Sequence, residues 1–212
     1  MAFFVKQLVK GAILFSFWSL LYLGISTIKE RIKLKKQLKD HELASLMNQI
    51  NPHFLFNSLN TIRGMIYEDK DKSAELVTKL STLFRYNLSA DTKAHTSLAG
   101  ELEVCQHYLA IEEIRLGKRL TVDFDISPES TTAKIPTMGL LTLVENAIKH
   151  GISNLQQGGT LLVNSRVENN ILLIEVSNPY QPNLVNSGTQ VGLKNLQQRI
   201  DLIFGAKGKL TQ

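Results

Sequence analysis

The spacing of apolar positions changes several times along this chain, and each change predicts a different element. From Gly11 to Ile28 there is no charged residue over 18 positions, and the run includes Trp18 and Tyr22. At 1.5 Å per residue this gives about 27 Å of helix, enough to cross a bilayer core, so one membrane helix is predicted over about 11–28. Residues 29–47 lack Gly and Pro and are rich in Lys, Leu and Glu, which predicts a cytoplasmic linker helix. Its stripe of Leu43, Leu46 and Ile50 runs up to Asn51-Pro52, where proline predicts a kink or a restart.

Beyond the proline, Leu55, Leu59, Ile62 and Ile66 share one helical face. A turn at Asp69 to Lys72 then leads to a second amphipathic helix with the face Ala74, Val77, Leu80, Phe84 and Leu88. Two helices joined so closely form an antiparallel hairpin. One hairpin cannot bury its stripe alone, whereas two copies make a four-helix bundle, so a homodimer is expected. A third helix is predicted from about Leu98 to Leu116.

The period then drops to two. Leu120, Val122, Phe124 and Ile126 alternate with polar residues, as in a half-buried strand. Pro136 is expected to open a helix reaching His150. Thr160 to Val167 and Ile171 to Val176 read as strands joined by a tight turn at Asn169-Asn170. Ser177 to Thr189 reads as a lid-like polar loop, and Val191 to Phe204 as a helix closed by Gly205. Another strand is expected to begin at Lys209-Leu210. The fold class is therefore α+β.

Charge sharpens the picture at one place. The net charge is +5, and Lys29 to Lys39 alone carries that much, with six basic residues against Glu30. A nucleic-acid binder would carry its basic excess on the folded domain, so that class is disfavoured. Next to an apolar helix the cluster outweighs Lys6 and Lys10 and places the following residues in the cytoplasm, with the chain in the inner (cytoplasmic) membrane as a single-pass protein. The one cysteine, Cys105, can form no intramolecular disulfide, which suits a reducing compartment.

Three polar constellations carry candidate chemistry. His53 shares a helix face with Asn57 and Asn60. A neutral imidazole is a nucleophile near pH 7, although a capped helix start with His53 on the wet side explains the same residues. Glu145, Asn146, Lys149 and His150 make two i,i+4 pairs on one helix; the Asn146 amide oxygen suits Mg²⁺, and the two bases suit phosphate. A Glu145–Lys149 surface pair explains that helix equally well. Gly188 and Gly192, with Asn195, precede and enter the last helix, where glycines let backbone N–H groups approach a polyphosphate.

In their order the three resemble the LytS-type sensor histidine kinases. The stretch Gln49 to Asn57 resembles their phosphoacceptor motif, Leu143 to Gly151 resembles their ATP-domain motif, and Gly192-Leu193-Lys194-Asn195 follows as expected. Leu83 to Leu88 and Tyr108 to Arg115 are also family-like. After the 1–28 segment with the membrane helix and the 29–47 linker read above, the resemblance implies a 48–116 phosphoacceptor and dimerisation region and a 117–212 GHKL-type ATP-binding domain in an α/β sandwich. The family's final strands are expected to be missing, leaving that domain C-terminally incomplete. His53 becomes the phosphoacceptor and Asn146 the Mg²⁺ ligand. Glu145 is assigned to catalysis, and Lys149, His150, Gly188, Gly192 and Asn195 to nucleotide binding, with a response regulator as the phosphoryl recipient. Asn178 stands where relatives carry an Asp that binds adenine. The alternative is a catalytically degenerate, membrane-tethered dimerisation and signalling module.

Overall fold

The computed structural model describes residues 1, 3–4, 10–11, 18–19, 22–31, 33–34, 52–89, 94–179 and 191–211. The chain divides into two units, Met1–Gln49 and Ile50–Gln212. In the first unit, residues 22–31 are helical and carry exposed Tyr22, Leu23, Ile25 and Ile28. Within the predicted span 11–28, residues 12–17 and 20–21 lie outside the described residues, as do 35–47 of the predicted linker. Among the described residues no helix is long and apolar enough to cross a membrane.

The second unit opens with helix α1, Pro52–Glu68, and Pro52 stands at its first position, where its missing N–H is harmless. The hairpin turn is tighter than expected: Asp69 alone separates α1 from α2, Lys70–Ser89. The Asp69 carboxylate accepts the Lys72 N–H at 3.0 Å, so the predicted turn residues instead form the first turn of α2.

The inward faces overlap the predicted stripes at Ile62 and Leu80 and leave most of each stripe uncovered within one hairpin. In α1 the buried residues are Phe54, Ser58 and Ile62, and in α2 they are Ser73, Leu76, Leu80 and Leu83. Leu59, Ile66, Ala74, Val77 and Leu88 face outward. Small hydroxyls explain the shift. Ser58 donates to the Phe54 carbonyl at 2.8 Å and Ser73 to the Ile62 carbonyl at 3.3 Å, so serines are satisfied inside and leave apolar side chains uncovered.

A short strand β1, His95–Ser97, leads into α3, Leu98–Leu116. The Ser97 hydroxyl caps α3 by accepting the Gly100 N–H at 3.2 Å, and Gly117 ends it in the left-handed region at φ 57°. Strand β2, Leu120–Ile126, alternates as predicted. The region at Pro136 does not. Lys134–Pro136 form strand β3, antiparallel to β1, and helix α4 is Gly139–His150, three residues later than expected. Pro136 pairs with His95 at the end of the ladder, a place where its lack of an N–H is tolerated.

Strands β4, Gly159–Glu168, and β5, Ile171–Ser177, complete a three-stranded sheet in the order β2-β4-β5. β4 runs parallel to β2 and antiparallel to β5, so the sheet is mixed. Asn169 and Asn170, at φ 50° and 64°, make the predicted tight turn. Helix α5 is Val191–Phe204, and Gly205 follows at φ 56°. Lys209 and Leu210 form no strand; the Leu210 N–H bonds to Gln197 Oε1 at 3.1 Å. The core joins both regions, since Phe54, Leu83, Ile111, Leu140, Val144 and Leu161 belong to one buried cluster.

Candidate functional site

His53 sits in the first turn of α1 with its side chain exposed. The next residue does the opposite. Phe54 is buried, and its ring packs against Tyr108 of α3 at 4.9 Å between centroids, tilted by 37°. Asn57, one turn on, approaches both His53 ring nitrogens, at 3.1 and 3.3 Å, and so holds the imidazole against the helix. Asn60 is exposed. The wet face predicted for His53 and the two amides exists, and it is anchored by the aromatic contact behind it.

Glu145, Asn146, Lys149 and His150 lie in the second half of α4. Glu145 and Lys149 do not form the surface ion pair that a plain amphipathic helix would offer; among the described residues the ion pairs lie elsewhere. Burial pushes the Glu145 carboxyl up to about 7, the nearby Glu112 carboxylate pushes in the same direction, and Lys149 opposes both. Glu145 is thus a carboxyl poised to exchange a proton near neutrality. Burial and the Lys149 charge lower the pKa of His150, favouring its neutral form. Lys149 is exposed and Asn146 half-buried.

Glu112 is buried on α3 and paired with Arg115, whose Nε donates to Glu112 Oε2 at 2.9 Å. Arg115 also donates to the Ser153 hydroxyl at 3.1 Å, just past α4. These residues bind α3 to the end of α4 beside Glu145; Glu112 and Arg115 fall in the family-like stretch Tyr108 to Arg115, which assigns them no role. Glu112 falls on the apolar phase of α3, with Leu98, Cys105, Tyr108 and Leu116, so an acid at a core position was the available signal.

Asn178 reaches the same C-terminal end of α4. A Cβ built on Gly151 would come within 1.9 Å of Asn178 Nδ2 and 2.6 Å of the Ala147 carbonyl, so glycine is needed for the strand end to close on α4. The Asn178 amide donates to the Pro179 carbonyl at 2.8 Å. Gly151→Ala is expected to destabilise the chain by about 1–3 kcal/mol, checked by denaturant melts.

Gly192 and Asn195 are exposed near the start of α5; the nearest atom to a Cβ on Gly192 is Thr142 Cγ2 of α4 at 3.6 Å. Gly188 and the rest of the predicted lid, 180–190, lie outside the described residues. α4 thus gathers Glu145, Asn146, Lys149, His150 and Asn178, with Gly192 nearby. No hydrogen bond or ion pair joins His53 to them. An apolar cavity of about 640 Å³ between β5, α4 and α5 is lined by none of the predicted site residues.

The histidine kinase family model matches residues 41–120, a stretch that includes His53, Tyr108, Glu112 and Arg115. The sensor protein LytS of Staphylococcus saprophyticus is 37% identical over 186 residues, covering 82% of this chain and 32% of the relative. The sensor histidine kinase BtsS of Escherichia coli is 38% identical over 174 residues, 81% of this chain and 30% of its own length. LytS of Staphylococcus haemolyticus is 33% identical over 97% of this chain and 36% of the relative.

The chain belongs to the LytS-type sensor histidine kinase family. It spans about a third of the length of the curated relatives it matches. The described residues bring together no group of three or more His, Cys, Asp or Glu side chains able to hold a metal. Asn146, half-buried on α4, carries an amide oxygen, a hard donor of the class Mg²⁺ accepts beside phosphate oxygens and water.

Proposed function

We propose that this chain is an ATP-dependent protein-histidine kinase of a two-component system, anchored in the cytoplasmic membrane with its kinase region in the cytoplasm. A ring nitrogen of His53 forms a bond to the γ-phosphorus of ATP as the bond from that phosphorus to the ADP oxygen breaks. The electron pair leaves with ADP, and the imidazolium gives up its ring proton. The phosphoryl group then passes to an aspartate of a separate response regulator.

The observation that carries this reading is His53 itself. It is held toward solvent by Asn57, while its neighbour Phe54 is locked against Tyr108, so the nucleophile is presented without loosening the helix. Asn146 would hold Mg²⁺, which neutralises phosphate charge when bound. Lys149 and His150 would meet the phosphates, Gly192 and Asn195 would border them, and Asn178 and Gly188 would serve the adenine side and the lid. Glu145, poised near neutrality, is suited to take up a proton.

Two copies are expected to pair through α1 and α2, because Phe56, Leu59, Ile66, Val77 and Leu88 leave an apolar face uncovered. Nucleotide binding is tested by Asn146→Ala, which is expected to weaken ATP binding in the presence of Mg²⁺ by about 10–100-fold and to leave metal-free binding nearly unchanged. Titration calorimetry with and without Mg²⁺ measures this. If the unmodified chain binds no nucleotide in either condition, the degenerate signalling module is the correct reading; the Asn178 amide, already bonded to the Pro179 carbonyl, is the observation on its side.

A further inference from the structure

Helix α4 begins without a cap of its own. Met138 precedes it in the left-handed region at φ 62°, an uncommon place for a residue other than glycine, and offers no side-chain bond. The first-turn N–H groups go instead to Glu101 of α3, which is 0% exposed. Met138 N–H donates to Glu101 Oε1 at 2.6 Å, and Leu140 and Leu141 N–H groups donate to Oε2 at 3.1 and 3.4 Å. Tyr86 of α2 donates its hydroxyl to the same Oε1.

A serine or aspartate at the cap position would satisfy the helix locally without burying a distant carboxylate. The arrangement used here does something a local cap cannot. It joins three helices at one group: α2 of the acceptor hairpin, α3, and α4, which bears Glu145 and Asn146 about two turns, or ~10 Å, further on.

We infer that Tyr86 and Glu101 are positioning residues, tying the His53 hairpin to the start of α4 and so setting where Glu145 and Asn146 stand relative to the acceptor. This rests on the kinase reading above for its consequence, although the tie itself does not. Tyr86 is half-buried, and its hydroxyl also faces Thr96 and the Met138 backbone, so it lies at the seam between hairpin and α4. Phosphoryl transfer is sensitive to placement, and small displacements of an aligned pair lower rates many-fold.

The clean variant is Tyr86→Phe, which removes one hydroxyl and leaves the Glu101 cap on α4. In the full chain, hydrogen exchange at Met138, Leu140 and Leu141 is expected to speed up about tenfold. His53 phosphorylation is expected to slow by roughly 10–100-fold at saturating ATP, with the KM for ATP changed less than about threefold. Glu101→Gln, which turns one acceptor oxygen into a donor facing α4 amides, is expected to weaken ATP binding as well.

Wild-type exchange in Tyr86→Phe overturns the inference. So does a loss of ATP binding in step with phosphorylation, since that marks a merely structural contact. If the unmodified chain takes up no phosphoryl group, the kinase reading fails, and the exchange measurement alone decides the tie.

Discussion

His53→Ala is expected to abolish phosphoryl uptake from ATP while the chain remains folded and still binds Mg·ATP. The side chain is exposed and its hydrogen-bond partner is Asn57, itself on the helix surface, so its loss opens no cavity. The change in stability should stay below about 0.5 kcal/mol, with alanine slightly favouring the helix. Loss of acid-labile label with an unchanged melting curve and unchanged nucleotide affinity therefore isolates the acceptor. Label that persists in this variant rejects His53.

Glu145→Gln is expected to lower the phosphorylation rate by about 10²–10⁴-fold, the usual range for a lost acid–base group. It should also change two pH profiles. For catalysis, the carboxylate form accumulates as pH rises through about 7, so the wild-type rate should climb there. In the glutamine variant that limb should vanish.

For stability, the folded chain raises the Glu145 pKa from 4.5 to about 7, so the folded state prefers the protonated acid. Glu145's contribution to stability is full at and below pH 4.5, is lost as pH climbs through about 7, and is absent above it. The full difference is at most about 3.5 kcal/mol, from 1.36 kcal/mol per unit. Glu145→Gln should be the more stable chain at pH 8 and show little of that decline. Denaturant melts between pH 5 and 8 measure it, and a decline of equal size in both chains would assign it elsewhere.

Much of the fold was legible in spacing alone. The α3 helix, the alternation of β2, the Asn169-Asn170 turn and the α5 helix followed from local signals that tertiary structure did not override. Pro136 misled because a proline that can open a helix can equally end a strand ladder, and only the pairing with His95 distinguishes the two. The second, inward face of the hairpin was hidden because Ser58 and Ser73, polar by composition, are buried by bonding to backbone carbonyls.

The site divides in the same way. Residues within one helix turn of each other, His53 with Asn57 and the Glu145 to His150 group, were visible as helical neighbours. Residues brought together from 30–40 positions apart were not: Arg115 with Ser153, and Glu101 with Met138, Leu140 and Leu141. Their trace in the sequence is acids at core positions of α3. A buried carboxylate there needs donors, and the sequence alone does not say which element supplies them.

The central claim is that His53 receives the γ-phosphoryl group of ATP, and peptide mapping tests it most directly. The full chain is incubated with γ-labelled ATP and Mg²⁺, digested with trypsin under mildly alkaline conditions, and the label located. Cleavage after Lys39 and Arg63 places His53 in the peptide of residues 40–63. Acid-labile label confined to that peptide is the predicted result. Label on another peptide, or acid-stable label on a hydroxyl residue, would contradict it.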